Sequence, residues 1–453
     1  MSKKTKQHIE AAASPPDKSR RTLLLLGGGV LAAGVAGAVA YNAGVFDGEK
    51  PKSFASEAVR PTGQNLAPVT LVANAENAMR AADELLTHYA RDLANASALI
   101  HAVRGMGRGF KLNDGTSAVE HLCTKYAFDK EVNGKRLVYF SRDAEVHENS
   151  FLKTFLEAGV SLDQKVTANG KAYTLRDVVT GGEQLFRADA ADMYKFDDRQ
   201  FRFDPVSTLT HGRGELMHEH LPWSLIAFAN LMKPSEASWT NAYGEKIDLL
   251  AVIDRALAEY ETTCALGQAA LARGEASPLD FRTRVKDYSC FGLHSVYGFL
   301  SCWQKGFTAN DLPRRMTQVM DFVTYRLQAD ALASDVEYDE ADAQAPAGQK
   351  APPMVMTAFK RRARLKLLGH AFESINFAKK HALLTFTPAQ EKRIQAGEQA
   401  LYESIVALRA LDWASLRSMP NGEKFISDVV IALGHAARGM KLMTAQNPDV
   451  MAS

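Results

Sequence analysis

Apolar residues recur every three to four positions along several long stretches of this chain, a spacing that gathers them on one face only if the backbone is helical. The first stripe is Met79, Ala82, Leu86, Tyr89, Leu93, Ala96, Ile100 and Val103, which predicts a helix of about thirty residues starting near Ala75. Two more follow, Leu249, Ile253, Ala256, Tyr260 and Cys264, and then Ile394, Leu401, Ile405, Leu408 and Leu411. Alternating strand patterns are sparse. The best is Arg136-Leu137-Val138-Tyr139-Phe140, preceded by the turn dipeptide Asn133-Gly134. The expectation is an all-α fold with few short strands, in a chain whose 46% apolar composition suffices for a large core.

An internal similarity refines that expectation. Ser150-Phe151-Leu152 lies ahead of Gly170, Leu175, Val178 and Val179 much as Ser224-Leu225-Ile226 lies ahead of Gly244, Leu249, Val252 and Ile253. Each unit reads as a helix, a loop closing on glycine and a second helix. Cys290 to Phe299 and Gly369 to Phe377 read as further helices of the same inner kind. Hairpins of this type must stack as a solenoid or close into a ring. The segments Glu219 to Phe228 and Cys290-Phe291-Gly292-Leu293-His294 resemble parts of the α/α-toroid superfold, paired helices around a central funnel. That resemblance implies a fold shared by cyclases, polysaccharide lyases, glycoside hydrolases and binding proteins, and no single function.

The N-terminus reads as an address. Residues 1–21 carry six lysines and arginines against Glu10 and Asp17, and Leu23 to Ala40 is uncharged and apolar with five glycines. Ala38 and Ala40 supply the small-residue pattern of a cleavage site. Arg20-Arg21 followed by this run resembles a twin-arginine export signal, with Leu23 and Leu25 departing from the usual residues. The resemblance implies export machinery as a partner and a bacterial cell-envelope location, periplasmic or extracytoplasmic. Release after Ala40 and anchoring by residues 22–46 both stay open, and the membrane is met only through this segment. Without residues 1–40 the chain holds 48 basic and 50 acidic residues, so no global field favours nucleic acid.

Composition divides the remainder. Residues 47–70 read as a linker, 71–334 as the helical-repeat domain, 335–353 as an acidic then Pro/Ala-rich loop, and 354–453 as C-terminal helices packed on the same domain. The basic cluster Lys360, Arg361, Arg362, Arg364 and Lys366 reads as a solvated face or as a site for an acidic partner. Cys123, Cys264, Cys290 and Cys302 form no C-x-x-C pattern and read mainly as buried thiols.

Candidate chemistry concentrates between His211 and Pro222. In an extended lead-in to a helix starting at Pro222, His218 and His220 point the same way and suit a divalent metal, with His211 or Glu215 as a third ligand. Without a metal, His218 or His220 would be a general base, Arg213 would hold a carboxylate or phosphate, and Glu215 would orient a histidine. His294 is the best distant catalytic partner, and His370 is a weaker one that reads more as core. No P-loop, dinucleotide fingerprint or nucleophile elbow is present, so no cofactor is assigned. The leading expectation is an exported protein that binds a ligand or envelope partner in a concave helical surface. The alternatives are an envelope hydrolase or lyase acting on a saccharide or polar polymer through residues 211–220, and a metal-dependent enzyme using the same residues.

Overall fold

The structure, a computed structural model, describes residues 66, 69–91, 95–141, 145, 147, 149–187, 221–276, 289–346, 350–419 and 422–448. The expected signal segment and the residues His211, Arg213, Glu215, His218 and His220 lie outside this set.

The described chain is mostly helical with a few short strands. Its helices are α1 (Ala75–Leu85), α2 (Ala96–Met106), α3 (Ala118–Lys125), α4 (Ser150–Glu157), α5 (Leu175–Leu185), α6 (221–231), α7 (Leu249–Ala272), α8 (Leu293–Gln304), α9 (Leu312–Gln344), α10 (Pro353–Lys380), α11 (Pro388–Arg409), α12 (Trp413–Ser418) and α13 (Gly422–Lys441). None of the described helices is long and apolar enough to cross a membrane.

The expected thirty-residue helix is interrupted. α1 passes into a π-helical turn at Leu86–Ala90, and α2 starts afresh where Asn95 Oδ1 accepts the amide hydrogen of Ala98 at 2.7 Å. The predicted strand run is present as β2 (Lys135–Phe140), and the predicted turn at Asn133 and Gly134, both at positive φ as a tight hairpin turn requires, joins it to a partner not foreseen, β1 (Ala127–Val132). The loops expected around Gly170 and Gly244 are also hairpins, β3 (Lys165–Ala168) with β4 (Lys171–Thr174) and β5 (Ser238–Thr240) with β6 (Lys246–Asp248). Each feeds directly into a capped helix, α5 behind Thr174 and α7 behind Asp248. β3 also pairs in parallel with β1, so four strands form one sheet in the order β2-β1-β3-β4.

α9 continues to Gln344, ten residues into the stretch expected as a loop. The reason is charge pairing with the basic start of α10. Lys360 pairs with Asp339 and Arg364 with Asp335, while Arg362 lies 3.1 Å from Asp428 on α13. Lys360, Arg362 and Arg364 are therefore neutralised within the fold.

Burial sorts the helices. Unbroken buried runs of six residues or more occupy 98–105 of α2, 150–155 of α4, 221–229 of α6, 293–302 of α8, 322–327 of α9, 367–375 of α10 and 432–439 of α13. Helices covered all round lie in the middle of a fold, and those with one buried stripe lie outside it. α13 packs against both α2 and α10, and α8 packs against α10. Glycines set these spacings. A Cβ on Gly434 would lie 2.3 Å from the His101 carbonyl oxygen, and one on Gly439 would lie 2.8 Å from the Glu373 amide nitrogen.

Candidate metal centre

Four of the buried helices bring a histidine into one buried cluster: His101 on α2, His294 on α8, His370 on α10 and His435 on α13, each 7% exposed or less. Ring centroids are 3.8 Å apart for His370 and His435, 4.7 Å for His294 and His370, 4.9 Å for His294 and His435, and 4.9 Å for His101 and His435. The sequence folds this way because each histidine lies in an apolar or small-residue run that has to be buried. A small residue four positions later, Gly105, Gly298, Ser374 or Gly439, leaves room beside each helix.

Hydrogen bonding fixes which nitrogens remain available. Nδ1 of His101 is 2.6 Å from Ser97 O, Nδ1 of His370 is 2.6 Å from Lys366 O, and Nδ1 of His435 is 2.8 Å from Glu373 Oε2. Each of these partners accepts only, so each Nδ1 carries the hydrogen and each Nε2 presents a lone pair. Nε2 of His370, Nε2 of His435 and Nδ1 of His294 have no hydrogen-bond partner although buried. Leaving such a group unpartnered costs about 1–3 kcal/mol. His370 and His435 thus share the arrangement of metal-binding histidines, with one nitrogen tied to a carbonyl or carboxylate and the other left available.

Cys290 completes a cluster. Its thiol and one ring nitrogen each of His294 and His370 all lie within 4.8 Å of one another, and all three residues are buried. Tetrahedral binding at about 2.0–2.3 Å sets ligand atoms roughly 3.3–3.8 Å apart, so side-chain adjustments of about 1 Å would close the cluster on an ion. The other three cysteines are buried thiols, as expected, and none of the four is in a disulfide.

One helical turn beyond the imidazoles lies a charged tier. Position +3 after each histidine is polar: Arg104, Tyr297, Glu373 and Arg438. α4 adds Lys153 and Glu157. Arg104 pairs with Glu157, and its Nη2 lies 2.6 Å from Glu373 Oε1 without the alignment of a hydrogen bond. Arg438 donates to Glu373 Oε1 at 2.9 Å and to the Tyr297 hydroxyl at 2.7 Å, and Tyr297 donates to Glu157. Two buried guanidiniums thus balance two buried carboxylates, so that removing one partner would leave an uncompensated charge.

Electrostatics separate the tiers. Burial pushes His101 and His370 down to about 3, and burial with neighbouring imidazoles pushes His294 and His435 well below the ordinary range. Burial would raise Glu373, but Arg104 and Arg438 outweigh it and hold this carboxyl at about 2. Burial, then Arg104, lowers Lys153 to about 7. At neutral pH the four imidazoles are neutral, the form that binds metal.

The edge of the centre is aromatic. Trp223 on α6 lies 4.2 Å from His294 and stacks on His147 at 3.8 Å and 7°. Buried Glu145 is 3.9 Å from His147.

Of the residues singled out by sequence, His294 lies in this cluster. His370, expected as core, is both core and cluster member. His101, His435, Cys290 and the charged tier were missed. A signal for two of them exists: His101-Ala-Val-Arg104-Gly105-Met106 recurs as His435-Ala-Ala-Arg438-Gly439-Met440. Scanning for six-residue recurrences would have found it. Comparison with family models, curated proteins and solved structures finds no match to this chain.

Proposed function

We infer that this is an exported metalloprotein that holds a transition-metal ion at the centre of its helical fold through His294 and His370, with Cys290 and His435 beside them. The observation that carries this reading is that buried His294, His370 and His435, with ring centroids 3.8–4.9 Å apart, each keep one imidazole nitrogen without a hydrogen-bond partner, while the Cys290 thiol lies within 4.8 Å of a ring nitrogen of His294 and of His370. A purely structural histidine cluster would gain nothing from leaving those lone pairs unsatisfied. Mixed imidazole and thiol donors suit zinc, copper, cobalt or iron rather than magnesium or calcium. The export half of the reading is supported by the Arg20-Arg21 segment alone.

Helices buried all round mostly take turns along the chain with helices that bury one stripe, α9 being the exception at 322–327, and this supports the toroid reading as well. α1 packs against α11 and α13. The metal would then occupy the axis where other toroids have a funnel.

Metal analysis of the purified full chain, before and after dialysis against zinc, copper and cobalt, tests the function. A tightly held stoichiometric ion that disappears in the H294A/H370A double variant is expected. Equal metal content in both proteins would overturn the reading.

A further inference from the structure

Cys290 reaches the imidazoles from a backbone that L-residues avoid. Cys290, Phe291 and Gly292 have φ of 53°, 59° and 68°, three left-handed residues in a row immediately before α8. Two of the three carry side chains, and a turn of this kind survives only when its surroundings hold it. Arg326 on α9 supplies that hold. Its Nη2 donates to the Phe291 carbonyl oxygen at 2.8 Å and its Nε to Asp330 Oδ2 at 2.7 Å, with both side chains at most 3% exposed.

Burying this ion pair is expensive, and Arg326 and Asp330 sit one turn apart on the same helix, so the pair by itself joins no two elements. The outward bond of the guanidinium goes to the turn that carries Cys290. Two independent features therefore meet at one thiol. A ring nitrogen of buried His294 and one of buried His370 lie within 4.8 Å of it, and a buried arginine fixes the strained backbone that puts it there.

We propose that Arg326 is a positioning residue of the metal centre: it locks the left-handed turn at 290–292 so that Cys290 enters the coordination shell as a thiolate beside His294 and His370. This rests on the metal-site reading above and narrows it to a thiophilic ion. When the ion binds, a sulfur–metal bond forms and the thiol proton passes to bulk buffer. No oxidation state changes. Asp330 orients Arg326 and does not touch the ion.

Cobalt(II) is the probe, because its visible ligand-field bands report any tetrahedral site while its near-ultraviolet charge-transfer band reports sulfur. The metal-freed full chain and its variants C290S, R326M and R326K are titrated with cobalt, with folding checked by far-ultraviolet circular dichroism. Wild type is expected to show both features. C290S should keep the ligand-field bands and lose charge transfer. R326M should lose most of the charge-transfer intensity with Cys290 still present, and bind cobalt about 10-fold or more weakly. R326K keeps the charge but cannot span both Phe291 O and Asp330, so an intermediate band is expected, and it decides the matter if R326M does not fold. Charge transfer of wild-type intensity in R326K and in any folded R326M would overturn the role of Arg326. Ligand-field bands without charge transfer in wild type would overturn the thiolate and leave an imidazole site. Absence of any cobalt spectrum in wild type would overturn the metal reading itself.

Discussion

Glu373 Oε2 accepts the Nδ1 hydrogen of His435 at 2.8 Å while Oε1 of the same carboxylate takes Arg438 Nη1 at 2.9 Å. A single side chain thus joins the imidazole tier to the charged tier. Glu373→Gln keeps an oxygen for His435 and removes the charge that balances two buried guanidiniums. A loss of about 3–5 kcal/mol in urea unfolding is expected, because an uncompensated buried charge remains. If the metal centre is as inferred, ion affinity should also fall 10–100-fold.

Acid should destabilise the metal-free protein in two overlapping windows. His101 and His370 titrate at about 3 when folded and near 6.5 when unfolded, so the unfolded chain binds more protons between those values. Their contribution to stability is complete above about 6.5 and lost as pH falls toward 3. Glu373, held at about 2 against an ordinary 4.5, adds a second loss below about 4.5. Urea midpoints measured from pH 7 to 4 should fall steadily. The slope should be shallower in His101→Asn, by about one proton, and an unchanged slope would count against a neutral buried His101.

Lys153 predicts the opposite limb. It titrates at about 7 when folded and at 10.5 when unfolded, so the unfolded state binds the extra proton between those values and stability rises with pH across that range. Lys153→Met should flatten the alkaline limb while leaving the acid limb in place. Denaturant midpoints at pH 7 and pH 9.5 suffice to check it.

Close helix contact predicts a sharp size limit at Gly434. Its added Cβ would lie 2.3 Å from His101 O and 2.8 Å from His101 C, both main-chain atoms that cannot swing aside. Gly434→Ala should cost about 1–3 kcal/mol or more by forcing α2 and α13 apart. Gly109→Ala is the control. Nothing lies within 4 Å of its Cβ position, and thermal unfolding should separate the two variants clearly.

Much of the secondary structure was legible because it rests on local chemistry. The stripe from Leu249 to Cys264 became the buried face of α7, and Asn133-Gly134 made its hairpin. The interruption of α1 and α2 was less visible, since the apolar period continues across it and only the cap at Asn95 marks the restart. The continuation of α9 past Asp335 was hidden for a different reason. Its acidic residues are paired by α10, and such a partner is not apparent from the segment itself. The centre followed the same rule. His211, His218 and His220 attracted attention because they crowd together in sequence, whereas His101, His294, His370 and His435 are spread over most of the chain and meet only through packing. A histidine in an apolar run looks like core, and here it is core, distinguished by what its free nitrogen faces.

Main-chain contact at Gly434 and Gly439 carries a kinetic consequence. Where helices touch backbone to backbone, the surrounding shell has little side-chain slack through which a solvated cation can slip. An ion seated among His294, His370 and Cys290 would exchange at the rate at which α13 lifts from α2 and α10, not at the rate natural to its own bonds. Cobalt offered to the folded, metal-free chain would then enter only as fast as that opening allows, so its spectrum should grow in slowly after mixing and reach its full height once the core has had time to part.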